Sequence, residues 1–356
     1  MRLADWSLQF YRLPYAREVV WANAVESSGL YALLTLRCAD GATGIAEGTL
    51  KDTWSGVSPK SLAAALEDIL LPRLRKLNLA DDKAVCAAFA GIPENRMAKG
   101  MVESACWTMR AAAAGKPLWQ LWGHSGSVAV AWTVTRQAPS LMAAESAKVC
   151  GQYGLRTLKV KGGQGLDTDL QALKAIRAAV GPGVELYVDA NSHYPRHEAA
   201  GYIAALAGAG ASVAEDPCRL APDAHFAQLQ AGSPIPILVD RSCASQEDAA
   251  LYLERGARAL STKPGRVGLS QTRGIAAKAS AKGAKTAVGI YAESALGTLI
   301  NLQPEGPMAA EQTFFLTHAA QVSRLVPEIR GGRIALPEEA DLSALVDWKA
   351  VRKYMI

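Results

Sequence analysis

Hydrophobic and polar positions alternate through residues 5–48, where LYALLTLRCADGATGIAEG runs out, turns at ADG and returns, the pattern of paired strands. Beyond it the apolar spacing lengthens to three and four residues. SPKSLAAALEDILLPRLRKL and AKGMVESACWTMRAAAAG therefore predict amphipathic helices, each with Pro or Gly near an end. Strands followed by helices make residues 1–125 an α+β unit.

From VAVAWTVT (128–135) short apolar strands alternate with amphipathic helices. The strands read VAVAWTV, TLKVK, ELYVDAN, SVAEDP, PILVDR, ALSTKP and TAVGIY, and AEQTFF (310–315) supplies an eighth. Among the helices, DTDLQALKAIRAAVG opens at Asp167 and stops at Gly181, and SQEDAALYLERG has an S-x-x-D start and Gly256 at its end. Eight such alternations predict an α/β fold with a modified, TIM-like (β/α)8 barrel over residues 126–320, rather than a doubly wound sheet. Residues 321–356 break the alternation and are expected to return to the first unit, which caps the barrel.

Half of the 356 residues are apolar, enough for a sizeable core. The net charge of +5 is spread without a Lys/Arg run, which suits a small anionic substrate and gives nucleic-acid binding no support. Six cysteines without a CxxC pair argue against a structural zinc site or a disulfide framework, and for a reducing cytoplasm. The N-terminal MRLADWSLQFYRLP has no apolar signal core, and no run approaches the ~20 apolar residues of a membrane span. A soluble, unprocessed cytoplasmic protein without a membrane partner is expected.

The informative polar residues all lie where barrel strands end. Lys159 and Lys161 close the second strand, Asp189 and Asn191 the third, Glu215 and Asp216 the fourth, Asp240 the fifth and Lys263 the sixth; Glu293 follows the seventh. In a barrel, that end carries the active site. Asp189, Glu215 and Asp240 come from adjacent strands and converge on one sector of the mouth. Two carboxylates ~4 Å apart repel by ~4 kcal/mol at an effective dielectric of ~20, so a cation must sit among three. Hard oxygens with no His or Cys nearby select Mg²⁺, or Mn²⁺. Salt bridges to neighbouring helices are the usual fate of one such acid, but a poor account of three at successive strand ends.

Lys161 and Lys263 face each other across the mouth, one proton-transfer group on each side of a substrate. An ordinary lysine, with a pKa of ~10.4, is a poor base near neutrality. Lys159, on the same side of the strand and ~7 Å away, would repel Lys161 by ~2 kcal/mol and lower its pKa by one to two units.

This ordered set, KxK, then Asp, Glu, Asp, Lys and Glu-Ser, resembles the enolase superfamily, and within it the muconate lactonizing enzyme (muconate cycloisomerase) subgroup. The resemblance runs through VDAN, AEDP and AESALG and covers nearly the whole chain. It implies Asp189, Glu215 and Asp240 as metal ligands for Mg²⁺, Lys161 and Lys263 as the acid/base pair, Lys159 as pKa modulator and Glu293, with Asn191, on the substrate side. It implies proton abstraction next to a substrate carboxylate through an enediolate, as in muconate cycloisomerases. Racemisation or epimerisation of N-acylamino acids or dipeptides is the alternative, and a catalytically silent binding protein a third, against which the intact lysines and acids speak. Homo-oligomers are common in the family. Its mobile capping loops correspond to residues 14–28 and 47–54, where Trp21 and Trp54 either offer apolar contact to a partly hydrophobic substrate or pack in the core. Two features depart from the pattern: VDRS places Arg241 where an acid is usual, adding a positive charge that either meets a second substrate carboxylate or points outward, and the closing GLG segment is missing.

Overall fold

The computed structural model describes residues 1–20 and 25–356, so Trp21 lies outside the described residues. The N-terminal sheet is antiparallel, in the order β1 (Leu3–Val20), β2 (Val25–Cys38), β3 (Thr43–Leu50). The central strand β2 is apolar on both faces, and opposite sides of a strand face different partners. Ala32, Leu34 and Leu36 pack with the helix Arg96–Ala114 and the helical stretch before it. Tyr31 and Leu33 pack instead with Leu269, Leu296 and Leu299 of the barrel and with Leu342, Leu345 and Val351 of the C-terminal segment. The central strand is thus buried between capping helices and barrel. Gly100 closes the seam on the helix side: a Cβ there would stand 2.6 Å from the backbone nitrogen of Gly268.

Seven parallel strands curl in the order β11-β10-β9-β8-β7-β6-β5. They are β5 (Trp132–Val134), β6 (Thr157–Lys161), β7 (Glu185–Asp189), β8 (Val213–Glu215), β9 (Ile237–Val239), β10 (Ala259–Thr262) and β11 (Lys285–Val288). The eighth stave, expected as AEQTFF, is not a regular strand. Residues 308–311 close the ring with single bonds: Met308 and Glu311 donate to Thr286 and Val288 on one side, and Ala310 exchanges bonds with Ala129 and Ala131 on the other. VAVAWTV also proves to be two pieces. Its start, β4 (Ser127–Ala129), pairs with β13 (Arg333–Ala335), itself paired with β12 (Ile329–Arg330), and only β5 enters the barrel. The chain's end crosses to the N-terminal sheet, where the Ile356 amide donates to the Phe10 carbonyl.

Side-chain alternation sets what the barrel encloses. Ala131, Tyr187, Val213, Leu238, Ala259 and Ala287 form its apolar filling. Two residues beyond four of these, on the same side, stand Asp189, Glu215, Asp240 and Gly289. The intervening residues, such as Val188, Ala214, Val239 and Val288, face the surrounding helices. All six cysteines are free thiols, and among the described residues no helix is long and apolar enough to cross a membrane.

Candidate functional site

Register brings the charged residues together. Lys161, Asp189 and Glu215 form one rung across β6, β7 and β8, and the backbone of Asp216 reaches Leu238 of β9. Lys159 is 2% exposed, and its ammonium contacts three carboxylates: Asp189 at 3.0 Å, Glu215 at 2.8 Å and Glu311 at 2.9 Å. Burial opposes that charge, yet the three acids hold the Lys159 pKa well above the lysine range. Three anions thus surround the charge of Lys159.

Lys161 donates to Asp189 Oδ2 at 2.6 Å, and Lys263 to Asp240 Oδ2 at 2.6 Å. Burial works against ionised Asp189, but Lys159 and Lys161 keep its carboxyl well below the usual range. Asp240 is brought to about 2 by Lys263, followed by Arg266, against the same burial. Lys263 itself is raised: burial opposes the charge and Asp240 prevails. The lysine finds room because residue 289 is glycine, where a Cβ would come within 2.8 Å of Lys263 Cε.

Glu311 belongs to this cluster, and strand-end counting missed it. The residue lies inside AEQTFF, beyond the seventh strand. It is 3% exposed, accepts from Thr133 Oγ1 at 2.6 Å and, despite burial, is held below the usual glutamate range by Lys159. An acid two positions after an inward alanine was the available signal. Asp216, by contrast, is a clamp. With φ at 38°, it turns its carboxylate back to accept from the backbone amides of Asp240 (3.2 Å) and Arg241 (2.9 Å), and burial followed by Asp240 pushes it to about 7.

The remaining predicted residues divide. Asn191 joins the cluster, its amide Nδ2 donating to Asp189 Oδ2 at 3.0 Å and its Oδ1 lying 3.4 Å from Lys161 Nζ. Glu293 is buried and turned to Asn301 (3.0 Å) and the Tyr291 amide (2.8 Å), with burial raising it to about 7. Next to it, Ser294 reaches the capping sheet: Glu47 accepts from its hydroxyl at 2.5 Å and from Tyr11 at 2.6 Å. Trp54, 38% exposed, meets the Tyr291 ring at 5.4 Å, and Lys51, paired with Glu26 at 2.5 Å, lies over the indole at 5.0 Å. The Arg241 side chain is exposed.

Whether the three strand-end acids fit a divalent cation turns on their unsatisfied oxygens. Glu215 Oε2 and Asp240 Oδ1 are buried and accept no hydrogen bond. Burial, then Asp189, raises Glu215 well above the carboxylate range, so its charged form calls for more positive charge than Lys159 supplies. Among the described residues no three acidic, histidine or cysteine groups converge at ligating separation, because each acid is drawn onto a lysine. An all-carboxylate donor set with two buried oxygens that accept no hydrogen bond, Asp240 Oδ1 having only Arg266 at 3.7 Å, suits a hard cation.

Comparison with known proteins agrees with this architecture. The family model described as the mandelate racemase/muconate lactonizing enzyme N-terminal domain matches residues 13–123, and that described as enolase C-terminal domain-like matches residues 141–350. Muconate cycloisomerase 1-2 of Acinetobacter lwoffii is 30% identical over 279 residues, covering 76% of this chain and 72% of its own. The L-Ala-D/L-Glu epimerase of Bacillus subtilis is 31% identical over 264 residues, 72% of each. In structure, the muconate lactonizing enzyme of Pseudomonas fluorescens superposes with a TM-score of 0.90 at 24% identity, covering 100% of this chain and 99% of the other.

Proposed function

The chain belongs to the mandelate racemase/muconate lactonizing enzyme family of the enolase superfamily, and from that membership we propose that it is a Mg²⁺-dependent isomerase transferring a proton at the carbon next to a substrate carboxylate. The reaction we assign first is cycloisomerisation of a muconate-type diacid to a lactone. One observation carries the reading: two lysines on strands separated by three others, each ion-paired to an outer member of the acid row Asp189–Glu215–Asp240. Asp189, Glu215 and Asp240 would hold the cation, which when bound supplies positive charge against the developing anion of the substrate.

The chain's own groups do the rest. Lys161 and Lys263 each offer a nitrogen at the mouth, and the acid beside each fixes its position before substrate arrives. Lys159 keeps the inner sides of Asp189 and Glu215 compensated, and Glu311 completes that ring from the opposite wall. Racemisation or epimerisation of N-acylamino acids or dipeptides is the second reading, favoured by the matching Lys161–Asp189 and Lys263–Asp240 pairs, one for each face of a substrate carbon.

Incubation in D₂O with Mg²⁺ tests both. Lactone from cis,cis-muconate carrying deuterium next to its carboxylate supports cycloisomerisation; exchange into both enantiomers of an N-acylamino acid or dipeptide supports racemisation. Neither product and no exchange from any of them would overturn the assignment.

A further inference from the structure

Arg136 lies two residues beyond the end of β5, on the same side of the mouth as Lys161, and the proposed chemistry gives it no task. Its guanidinium is pinned rather than free: Nε donates to the Gly162 carbonyl at 2.6 Å, in the turn that follows Lys161. Nη2 lies 3.5 Å from Asn191 Oδ1, the oxygen that also lies 3.4 Å from Lys161 Nζ. One amide oxygen therefore separates two cations. No described carboxylate lies within ion-pair distance of Arg136, whereas the neighbouring Lys161 and Lys159 are both paired. The residue is exposed, and its contacts with Gly162 and Asn191 set the guanidinium beside the ends of β6 and β7.

A pinned, unneutralised guanidinium beside an ammonium is unfavourable unless an anion joins them, and the planar fork matches a carboxylate. We propose that Arg136 is the residue that binds the second, non-reacting carboxylate of the substrate and so sets the preference for a diacid over the matching monoacid. The assignment rests on the proposed function above and deepens it, because it places the second acid group on the Lys161 side. Arg241, expected for this task from sequence, uses its backbone amide on Asp216, and the structure ties its guanidinium to none of the cluster.

Adipate and hexanoate share one six-carbon chain and differ by a terminal carboxylate, so calorimetric titration of each in Mg²⁺ isolates that group. Wild type should bind adipate at least about tenfold tighter than hexanoate, the preference should fall to near unity in R136Q, and R136K should lie between, keeping the charge but losing the fork. A merely structural Arg136 would weaken both acids alike. Equal binding by wild type, or an undiminished preference in R136Q, overturns the proposal. The D₂O exchange experiment keeps the two readings apart: exchange without diacid preference removes the Arg136 assignment alone, and diacid preference without exchange removes the isomerase reading while Arg136 stands as a diacid site.

Discussion

Lys159 and Lys161 both contact one oxygen, Oδ2 of Asp189, at 3.0 and 2.6 Å. Two ammonium groups two residues apart on one strand are thus joined by an anion, and the inner lysine carries Glu215 and Glu311 besides. Replacing Lys159 would leave buried Glu215 and Glu311 without their lysine and Asp189 with Lys161 alone. K159M should therefore lower unfolding stability by about 3–5 kcal/mol, the usual cost of stranding a buried charge, in urea titration without added metal. A loss below about 1 kcal/mol would show that the ring is wetter than this geometry.

The outer lysines should separate by face. K161A and K263A should each slow α-proton exchange by about 10²–10⁴-fold, the common range for general acid–base groups. For a racemised substrate, each variant should lose exchange from one enantiomer while the other still exchanges, read by proton NMR in D₂O. Equal losses from both enantiomers in both variants would mean that the lysines do not divide the faces.

Divalent cation should stabilise the fold through the orphaned oxygens. Mg²⁺ at about a hundredfold its dissociation constant should add ~2.7 kcal/mol, visible as a rise in Tm. E215Q, which keeps the shape and removes the charge, should abolish most of that rise. An unchanged rise in E215Q would place the cation elsewhere.

Away from the mouth, Glu103 sits in the helix Arg96–Ala114, 3% exposed, with Oε2 unpaired. Burial, then Asp82, raises it from 4.5 to about 8. A carboxyl whose folded pKa is raised favours its protonated form in the native state. Its contribution is complete below the unfolded value and is lost as pH climbs through the folded one. Tm should therefore decline between pH 5 and 9, by an amount equivalent to as much as ~5 kcal/mol, and the E103Q profile should be flatter.

Gly100 offers a test of the seam between the two layers. In an open helix Gly→Ala gains about 1 kcal/mol. Here the added methyl meets the backbone of Val267 and Gly268, which cannot rotate away, so G100A should cost about 1–3 kcal/mol by thermal or urea unfolding. A stabilised G100A would mean that helix and barrel slide apart readily.

The strand-end acids and lysines were legible because the inward side of a barrel strand repeats every two residues. Once TLKVK, ELYVD, SVAED and PILVD were read as strands, Lys161, Asp189, Glu215 and Asp240 had to share the side of Lys159, Tyr187, Val213 and Leu238. The irregular eighth stave hid Glu311 for the converse reason: with single bridging bonds in place of a ladder, it carries little periodicity to read. The apolar run that promised one strand at 128–134 likewise could not show that β4 pairs with β13 and β5 with β6.

Local alternation, a property of neighbours in the chain, determined the barrel, the order of its charged residues and the side they occupy. The folded arrangement alone decided how those charges are shared: Lys159 with Glu215, 56 residues away, and with Glu311, 152 away, Glu47 with Ser294, and Arg136 left beside Lys161 with no acid among the described residues in ion-pair reach. Such pairings follow from closure of the barrel and docking of the capping sheet, and no spacing between residues so far apart along the chain encodes which oxygen a given ammonium will reach.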